Sequence, residues 1–374
     1  MINSLSVHGF RSLYGLEVPE LGRFNIVVGP GNSGKTNFLE AVFLSCSSGD
    51  PQLLHKALNF RRILADILTP KEIVGHLDLC WSIGLKEASF TIGCKWDGQL
   101  RQNRYERSLS KGDIPLVTKN ESSPGAKSEI VQLGDEEAEL RNAIAVYGVE
   151  TSTQEEPSLS GKMIVTDTKI AFKKAGVPNL PAFYVAPFPS GLSHSLAPKW
   201  SDVEDRSEGE PITELMKTLD AGIQGIRIAS DELGHASVQV HHKELGRLPL
   251  EVMGSGFGKA LAIACHLVSA RNGVLVIDEI DASLHIGAQS TLIGFILQAA
   301  ARHNVQLFMA THSLETLDTF LEKFEDVSEL WGGPQDLRVI QLSRVKNQTS
   351  AKVVDADMAR ELRDDLGLDL RRAV

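Results

Sequence analysis

The sequence predicts an α/β protein of two lobes, with a mixed and largely parallel sheet, flanking helices and an additional antiparallel β lobe. Near the N-terminus, an apolar run at 24–28 passes through a glycine-rich turn into a helical pattern at 37–45. In the second half, helical segments alternate with buried strands, in the order 257–270, 273–277, 288–302 and 305–310. Because parallel neighbours need crossover connections, this alternation predicts a parallel sheet with right-handed crossovers.

The first half of the chain is expected to supply the antiparallel strands. Residues 2–9 alternate as a half-exposed strand does, and three further strands are predicted at 76–85, 88–96 and 100–109. Three segments rich in Ser, Thr, Pro and Glu are predicted to be loops or connections around a strand-poor insert: 110–127, 150–161 and 187–211.

The C-terminal part continues the alternation. A helix is predicted at 212–219, and a hairpin at 238–242 and 248–252, whose second strand Pro249 would confine to a sheet edge. The tail adds strands at 337–342 and 351–354 and a helix from Ala356. These patterns divide the chain into an N-terminal lobe, an insert of undefined structure and a C-terminal lobe, at 1–109, 110–210 and 211–374.

Composition narrows the class of protein. The chain has 374 residues, enough for two lobes, and its 42% hydrophobic and 23% charged residues are typical of a globular protein. The net charge of −10 argues against a surface devoted wholesale to nucleic acid, although a local basic groove is compatible with it.

Cysteine usage and hydropathy indicate a cytoplasmic protein. The four cysteines lie in apolar runs without a C-x-x-C pair, which predicts buried free thiols in a reducing compartment. No apolar stretch approaches the roughly 18 residues of a membrane helix, and the first residues lack the pattern of a secretory signal. We therefore expect a cytoplasmic location without a membrane partner.

A phosphate-binding loop is the strongest local motif. Gly29-Pro30-Gly31-Asn32-Ser33-Gly34-Lys35-Thr36 fits G-x-x-x-x-G-K-[ST] and lies between a buried strand and a helix. The glycines let successive N–H groups point at phosphate oxygens, Lys35 reaches the β and γ phosphates, and Thr36 is a ligand for Mg²⁺. A plain glycine-rich turn is the alternative, which the flanking strand and helix disfavour. ATP and Mg²⁺ are therefore the expected cofactors, with the following Asn37 in the nucleotide-binding set.

A second motif is the apolar strand that ends in Asp278 and Glu279. A strand buried on both faces has no reason to end in adjacent carboxylates unless positive charge lies there. Asp278 is predicted to hold Mg²⁺ through water, and Glu279 to polarise the attacking water. Because strands often exit into acidic turns, the motif gains its weight from its surroundings.

Further motifs surround that strand in a fixed order. Met253-Gly254-Ser255-Gly256-Phe257 places its serine 23 residues before Asp278, and Thr311-His312-Ser313 places its threonine 33 residues after it. Together with the glycine loop and His8-Gly9-Phe10-Arg11-Ser12, this set resembles the ABC ATPases, in the branch that contains RecF, the SMC proteins and the OLD (overcoming lysogenization defect) family. The text from Ile277 to His285 is most similar to OLD-type ATPases. The resemblance covers residues 1–45 and about 210–355.

The resemblance implies roles for individual residues. Gly254, Ser255 and Gly256 resemble the signature motif, whose serine and helix N-terminus contact a γ-phosphate held by the opposite subunit of a head-to-tail dimer. Helix N-termini favour anions, so this role is physically reasonable. Ser283-Leu284-His285 resembles the D-loop at the dimer interface, and His312 resembles the switch histidine that senses the γ-phosphate. Arg11 resembles an early arginine that approaches the nucleotide.

Several of these residues also have simpler interpretations. Ser255 would serve as an ordinary helix N-cap, and His312 could be a strand-end histidine that caps a turn. The pair Asp355 and Asp357 superficially resembles the acidic pair of a TOPRIM nuclease, but a strand end and helix cap is the preferred prediction. The sequence departs from the family in lacking a clear Q-loop glutamine, since Gln52, the nearest candidate, lies in a predicted loop.

The kind of ATPase follows from what the sequence does not contain. It has no heptads, which excludes a long-armed SMC architecture, and only 62 residues follow His312, too few for a TOPRIM nuclease domain. The chain therefore resembles a stand-alone OLD-type ATPase. In bacteria such ATPases resemble components of anti-phage defence systems that work with a separately encoded nuclease or toxin.

Two functions remain open at this point. In the first, ATP closes a homodimer, or a higher oligomer, and that closure controls a separate effector protein. In the second, the chain is a RecF-like clamp that binds DNA in an ATP-dependent way. The acidic net charge favours the first.

Overall fold

The computed structural model describes residues 1–59, 70–81, 89–108, 129–132, 143–153, 158–166, 169–175, 179–187, 191–230, 234–327, 333–346 and 348–372. Within them the helices are α1 (Lys35–Ser45), α2 (Gln52–Asn59), α3 (Pro70–Asp78), α4 (Leu192–Asp205), α5 (Gly209–Leu219), α6 (Ser255–Ser269), α7 (Ile286–His303), α8 (Leu314–Val327) and α9 (Ala356–Arg360). None of these helices combines the length and the apolar character needed to cross a bilayer.

The strands form three sheets. The largest has the order β2-β1-β4-β5-β7-β8-β9-β6 and is antiparallel except at the β6–β9 pair. Its strands are β1 (Ile2–His8), β2 (Leu16–Val18), β4 (Ser89–Trp96), β5 (Gln99–Ser108), β6 (Glu129–Gln132), β7 (Ala143–Thr153), β8 (Leu159–Thr166) and β9 (Lys169–Lys173).

The second sheet is mixed and has the order β10-β14-β15-β3-β16-β17. Its strands are parallel except for the last pair. They are β3 (Phe24–Val28), β10 (Ala182–Val185), β14 (Val274–Ile277), β15 (Gln306–Ala310), β16 (Leu337–Val345) and β17 (Gln348–Asp355). A small antiparallel sheet has the order β11-β12-β13 and consists of β11 (Ile223–Ser230), β12 (Ala236–His242) and β13 (Gly246–Pro249).

Alternation along the central strands directs side chains into two cores. Phe24, Ile26 and Val28 of β3 belong to the core that contains the apolar faces of α4 to α8. Val27 points to the opposite core, which holds α1 and the inner face of the eight-stranded sheet. Strand β3 is therefore buried on both faces, as its mostly apolar sequence predicts.

The parallel sheet, the antiparallel lobe and most of the predicted elements of the C-terminal part are confirmed. Strand β13 lies at a sheet edge and ends at Pro249, which cannot donate a ladder hydrogen bond. Asp355 ends β17 and caps α9, where its carboxylate accepts a hydrogen bond from the Met358 N–H at 2.9 Å. The cap interpretation of this acidic pair is thus confirmed.

Other predictions about local structure are wrong. The strand expected at 76–85 begins inside helix α3, and its last four residues lie outside the described part of the chain. The loop expected at 150–161 contains the end of β7 and the start of β8, and the region around it is rich in strands. Thr is favoured in strands, and Thr151 of β7 is buried with its hydroxyl bonded to Asn103, so these polar residues are compatible with the sheet. The loop expected at 110–127 lies outside the described residues.

The connection expected at 187–211 contains helix α4. Its buried side chains, Leu196, Ala197, Trp200 and Val203, recur at helical spacing and pack into the core. Pro198 lies inside this helix. The proline and the polar residues had favoured a loop, but burial of the apolar face outweighs them.

Candidate functional site

The glycine loop joins β3 to α1 in a conformation that requires its glycines. Gly29 has φ of 150°, and a Cβ there would lie 2.3 Å from the Leu342 carbonyl oxygen. Gly34 precedes α1 with φ of 100°, which L-amino acids rarely adopt. The loop therefore delivers Lys35 and Thr36 to the first turn of a helix, where free N–H groups favour an anion.

Lys35 folds back over its own loop. Its ammonium donates to the carbonyl oxygens of Gly29 at 2.8 Å and Pro30 at 3.0 Å, and the residue is only 5% exposed. Burial lowers the pKa of this lysine to about 8, while the acidic groups of Asp278, Glu279 and Asp281 oppose that shift. A phosphate that entered the loop would give the buried ammonium an anionic partner.

The Ser33 hydroxyl also points to a polar ligand in the loop. Ser33 is 2% exposed, and its oxygen has no hydrogen-bond partner among the described residues. Leaving a buried hydroxyl unpaired costs free energy, which a phosphate oxygen or a water would relieve. The loop therefore fits the phosphates of a nucleotide.

Thr36 and Asp278 meet at the end of strand β14. The Thr36 hydroxyl donates to Asp278 Oδ2 at 2.9 Å, and the Tyr184 hydroxyl donates to the same oxygen at 3.1 Å. Asp278 is 2% exposed. Within the described part of the chain, no three His, Cys, Asp or Glu side chains are grouped to hold a metal. One hydroxyl and one carboxylate suit Mg²⁺, which keeps several waters and takes further oxygens from phosphates.

Glu279 leaves the strand in a strained conformation. Its φ is 45°, in the left-handed region that non-glycine residues rarely adopt. Its Oε1 lies 3.9 Å from His312 Nε2, and both side chains are partly exposed. Both side chains are therefore accessible to a bound molecule, and Glu279 directly follows Asp278 in the chain. Outliers of this kind cluster at functional sites.

The predicted signature motif lies at the N-terminus of α6. The prediction that Ser255 is the helix N-cap is wrong: Gly254, with φ of 85° and ψ of 156°, holds that position, and Ser255 is the first helical residue. Glycine adopts this conformation without strain, so the cap passes to Gly254. Ser255 is exposed, and its hydroxyl makes no hydrogen bond to any described residue.

Gly256 packs directly on the predicted D-loop. A Cβ at this position would lie 2.2 Å from the Ser283 carbonyl oxygen. Ser255, Gly256 and the segment Ser283–His285 line an open cleft of about 710 Å³, together with the end of α5. The residues that line this cleft lie outside the glycine loop at 29–36. The cleft beside Ser255 is therefore separate from the glycine loop.

The loop motif, the carboxylate pair and the parallel sheet can now be compared with known proteins. A sequence family described as "AAA domain, putative AbiEii toxin, Type IV TA system" matches residues 116–318, which is more than half of the chain. The chain belongs to this family. Its fold is the α/β fold of a P-loop NTPase with an AAA domain, with mixed sheets and flanking helices.

The chain is also similar to an uncharacterised archaeal protein and to solved structures of SMC heads. An uncharacterised protein of Methanocaldococcus jannaschii is 33% identical over 119 residues, which are 32% of this chain and 99% of the relative. An SMC head bound to the C-terminal winged-helix domain of ScpA is 14% identical, with TM-score 0.49 and coverage of 96% and 99% of the two chains. An SMC head with an extended coiled coil, bound to the C-terminal domain of ScpA from Pyrococcus furiosus, is 12% identical, with TM-score 0.48 and coverage of 98% and 100%.

Two further residues, Tyr184 and Lys259, contact Asp278 or Glu279 but were not predicted from the sequence. Tyr184 comes from β10, a short strand with no clear pattern in the sequence. Lys259 comes from α6, where it is 1% exposed and donates to the carbonyl oxygens of Asp278, at 3.3 Å, and of Glu279. Burial lowers the pKa of Lys259 to about 8. A single lysine in an otherwise apolar helix was the available signal.

Three other residues considered in the sequence analysis lie at or near helices α1 and α2: Arg11, Asn37 and Gln52. Arg11 Nε lies 3.1 Å from the buried carboxylate of Glu40 in α1, so the guanidinium packs beside the helix that follows the phosphate loop. The Asn37 amide donates to the Ser12 hydroxyl at 2.6 Å. Direct contact of Arg11 or Asn37 with a nucleotide stays a prediction. Gln52 was expected in a loop, but it begins helix α2.

Proposed function

We propose that the protein binds ATP with Mg²⁺ and hydrolyses it, in a site that a second copy completes. The contact between the Thr36 hydroxyl and the buried Asp278 carboxylate, at 2.9 Å, is the observation that supports this most strongly. It joins the first turn of α1 to the end of β14, and so brings together two motifs separated by more than 240 residues. Such a pair beside a phosphate loop suits a nucleotide–Mg²⁺ complex.

Each residue has a distinct task in this proposal. Lys35 leaves the carbonyl groups of its loop and pairs with the β and γ phosphates. Thr36 and Asp278 hold Mg²⁺, which supplies charge neutralisation for the phosphates. Glu279 accepts a hydrogen bond from the attacking water and orients it, and His312, beside it, contacts the γ-phosphate.

The exposure of Ser255 beside an open cleft supports the proposed role of a partner copy. In a head-to-tail homodimer, the free hydroxyl of Ser255 and the N–H groups of α6 would meet the γ-phosphate held by the other subunit. ATP then joins the two subunits, and hydrolysis releases them. This makes the protein a nucleotide-gated switch.

The switch is proposed to control a separate effector in a bacterial anti-phage defence system. The family description names a toxin of a toxin–antitoxin system, which is compatible with such a setting. An effector nuclease or toxin would bind one nucleotide state of the dimer in preference to the other, and would be regulated by that difference in affinity.

Glu279→Gln tests the proposal. This variant keeps Lys35, Thr36 and Asp278, so we expect ATP binding to persist while hydrolysis falls by roughly 10²–10⁴-fold. Light scattering after size exclusion should then find a dimer with ATP and Mg²⁺ and a monomer without nucleotide. The matched control is Glu244→Gln, a strongly exposed carboxylate on the turn after β12, which should hydrolyse ATP normally. Wild-type turnover of Glu279→Gln would contradict the proposal.

A DNA clamp is the second candidate, and one surface favours it. The exposed face of the three-stranded sheet has a pocket of about 260 Å³, lined in part by Arg227, His241 and Arg247. Cationic side chains on a sheet face suit a phosphate backbone. Duplex-DNA binding that depends on ATP, weakens with salt and is lost in Arg227→Ala/Arg247→Ala would support it. If the double variant binds DNA as tightly as the wild type, this surface does not support the DNA-clamp function.

A further inference from the structure

The segment at 369–372 reaches back to the loop that carries His312. Arg371 Nη1 donates to the His312 carbonyl oxygen at 2.9 Å, across 59 residues of chain. Asp369 holds the same guanidinium, because its two carboxylate oxygens accept from Nε and Nη2, each at 2.9 Å. A two-point contact of this kind fixes both the position and the plane of an arginine.

The segment is itself anchored on both sides of Arg371. Leu370 is 3% exposed and belongs to the core beneath the parallel sheet. The Gln341 side chain, on strand β16, donates to the Arg372 carbonyl oxygen. The hydrogen bond from Arg371 lowers the pKa of Asp369 to about 2, so the carboxylate stays charged at neutral pH. Arg371 therefore reaches the His312 loop from a fixed base.

The other side of the same loop is tied to the acidic strand end. The Thr311 hydroxyl donates to Asp281 Oδ1 at 2.7 Å and accepts from the Ser313 N–H at 3.0 Å. The backbone around His312 is therefore held on one side by the Thr311–Asp281 hydrogen bond and on the other by Arg371. The His312 imidazole lies 3.9 Å from Glu279.

We propose that Arg371 is a positioning residue for His312. By holding the His312 carbonyl oxygen, it fixes the direction of the imidazole toward Glu279 and the γ-phosphate. This inference rests on the proposed function, since the direction of His312 matters only if that side chain acts on bound ATP. The guanidinium itself does not touch the nucleotide. Its loss should therefore slow turnover without weakening ATP binding.

Arg371→Ala and the neighbouring Arg372→Ala form a matched pair for the test. Arg372 is 84% exposed and pairs with the same Asp369, at 3.4 Å. We expect Arg371→Ala to lower kcat about tenfold, because small misplacements of reacting groups are costly, while the Kd for ATP stays within about twofold. Asp369→Asn should act in the same direction, and Arg372→Ala should match the wild type. Arg371→Lys keeps the charge and should fold normally, with an intermediate kcat.

A double-mutant cycle separates positioning from general stability. In a His312→Ala background, Arg371→Ala should have no further effect on kcat, because the group it positions is gone. Equal kcat for Arg371→Ala and Arg372→Ala would overturn the inference, and so would an undiminished effect in the His312→Ala background. If His312→Ala alone hydrolyses ATP at the wild-type rate, the proposed role of His312 fails first, and the inference fails with it.

Discussion

At the scale of single residues, the backbone that carries Asp278 and Glu279 depends on Lys259. The ammonium group is buried and donates to both of their carbonyl oxygens, while Glu279 holds a positive φ. Strained backbone of this kind persists only where its surroundings fix it. Lys259 therefore links helix α6 to the acidic strand end.

Lys259→Met should separate this role from stability. Methionine has a similar length and fills the same space, and the loss of two hydrogen bonds is offset by removal of a desolvated charge. We expect Tm to change little, whereas kcat falls about tenfold because Glu279 loses its fixed backbone. Lys217→Met, at a partly exposed lysine on α5, is the control and should leave kcat unchanged. A wild-type kcat for Lys259→Met would show that this ammonium is not needed.

Residue-level prediction was possible where the chemistry is local in sequence. The glycine loop, Asp278 and Glu279 could be proposed because a strand passes directly into each motif. The structure brings Thr36 and Asp278 into contact, and the roles of these residues stay predictions. The role of Lys259 could not be predicted, because its hydrogen-bond acceptors are carbonyl groups about 20 residues away in the chain. Arg371 is a harder case still, since the group it binds lies 59 residues earlier.

At the scale of elements, the contact between α6 and the D-loop segment depends on Gly256. The helix begins so close to Ser283 that a single methyl group at residue 256 would meet a backbone oxygen at 2.2 Å. Backbone cannot yield as a flexible side chain can, so the helix N-terminus would have to move. The position of Ser255 is thereby set by the packing of α6 against Ser283.

Gly256→Ala should reduce the free energy of unfolding by about 1–3 kcal/mol, the usual cost of overpacking. Urea unfolding measures this, and turnover should fall as well. Gly294→Ala is the matched control, because that glycine lies in helix α7 with open space around its Cβ position. Alanine there should raise the free energy of unfolding by about 0.4–1 kcal/mol. Equal effects of the two substitutions would contradict the close packing of α6.

Element-level prediction worked where periodicity was strong. The buried strands β3, β14 and β15 have mostly apolar runs, and the helices between them have clear helical spacing, so the sequence was sufficient to predict them. Helix α4 and the end of β7 were missed because proline, serine and threonine carry loop propensity that tertiary burial overrides. The bounds of three domains, at 1–109, 110–210 and 211–374, stay a prediction.

At the scale of the whole molecule, the antiparallel lobe holds the far end of the phosphate-loop helix. Asn103 of β5 is fully buried and donates to the carbonyl oxygens of Leu44 and Ser45, each at 3.1 Å. The Thr151 hydroxyl of β7 donates to Asn103 Oδ1 at 2.7 Å. Carbonyl groups at the C-terminus of α1 are thus satisfied by another sheet. The lobe fixes the helix whose first turn carries Lys35.

Asn103→Ala should lower the free energy of unfolding by about 1–3 kcal/mol, because buried carbonyl groups lose their donors. Gln102→Ala changes the preceding residue of the same strand, whose side chain is exposed. It should lower the free energy of unfolding by less than about 0.5 kcal/mol. Guanidinium unfolding of the two variants provides the comparison. If Gln102→Ala were as costly as Asn103→Ala, the contact between the lobe and α1 would not contribute to stability.

The whole-molecule claim is that two subunits share each ATP site. Lys35→Ala removes the phosphate-binding ammonium, and Ser255→Arg places a bulky cation where the signature serine should face the partner's nucleotide. Each variant alone should be inactive, because both sites of its homodimer are damaged. In a mixed dimer, one site carries both defects and the other carries none.

Mixing the two variants therefore tests the central claim most directly. With random pairing at equal amounts, half of the dimers are mixed and each has one intact site, so about a quarter of wild-type ATPase activity should return. Ser255→Arg alone should still bind ATP with wild-type affinity by calorimetry. If mixing restores no activity at any ratio, although differently tagged subunits are shown to pair, each chain does not complete its partner's site.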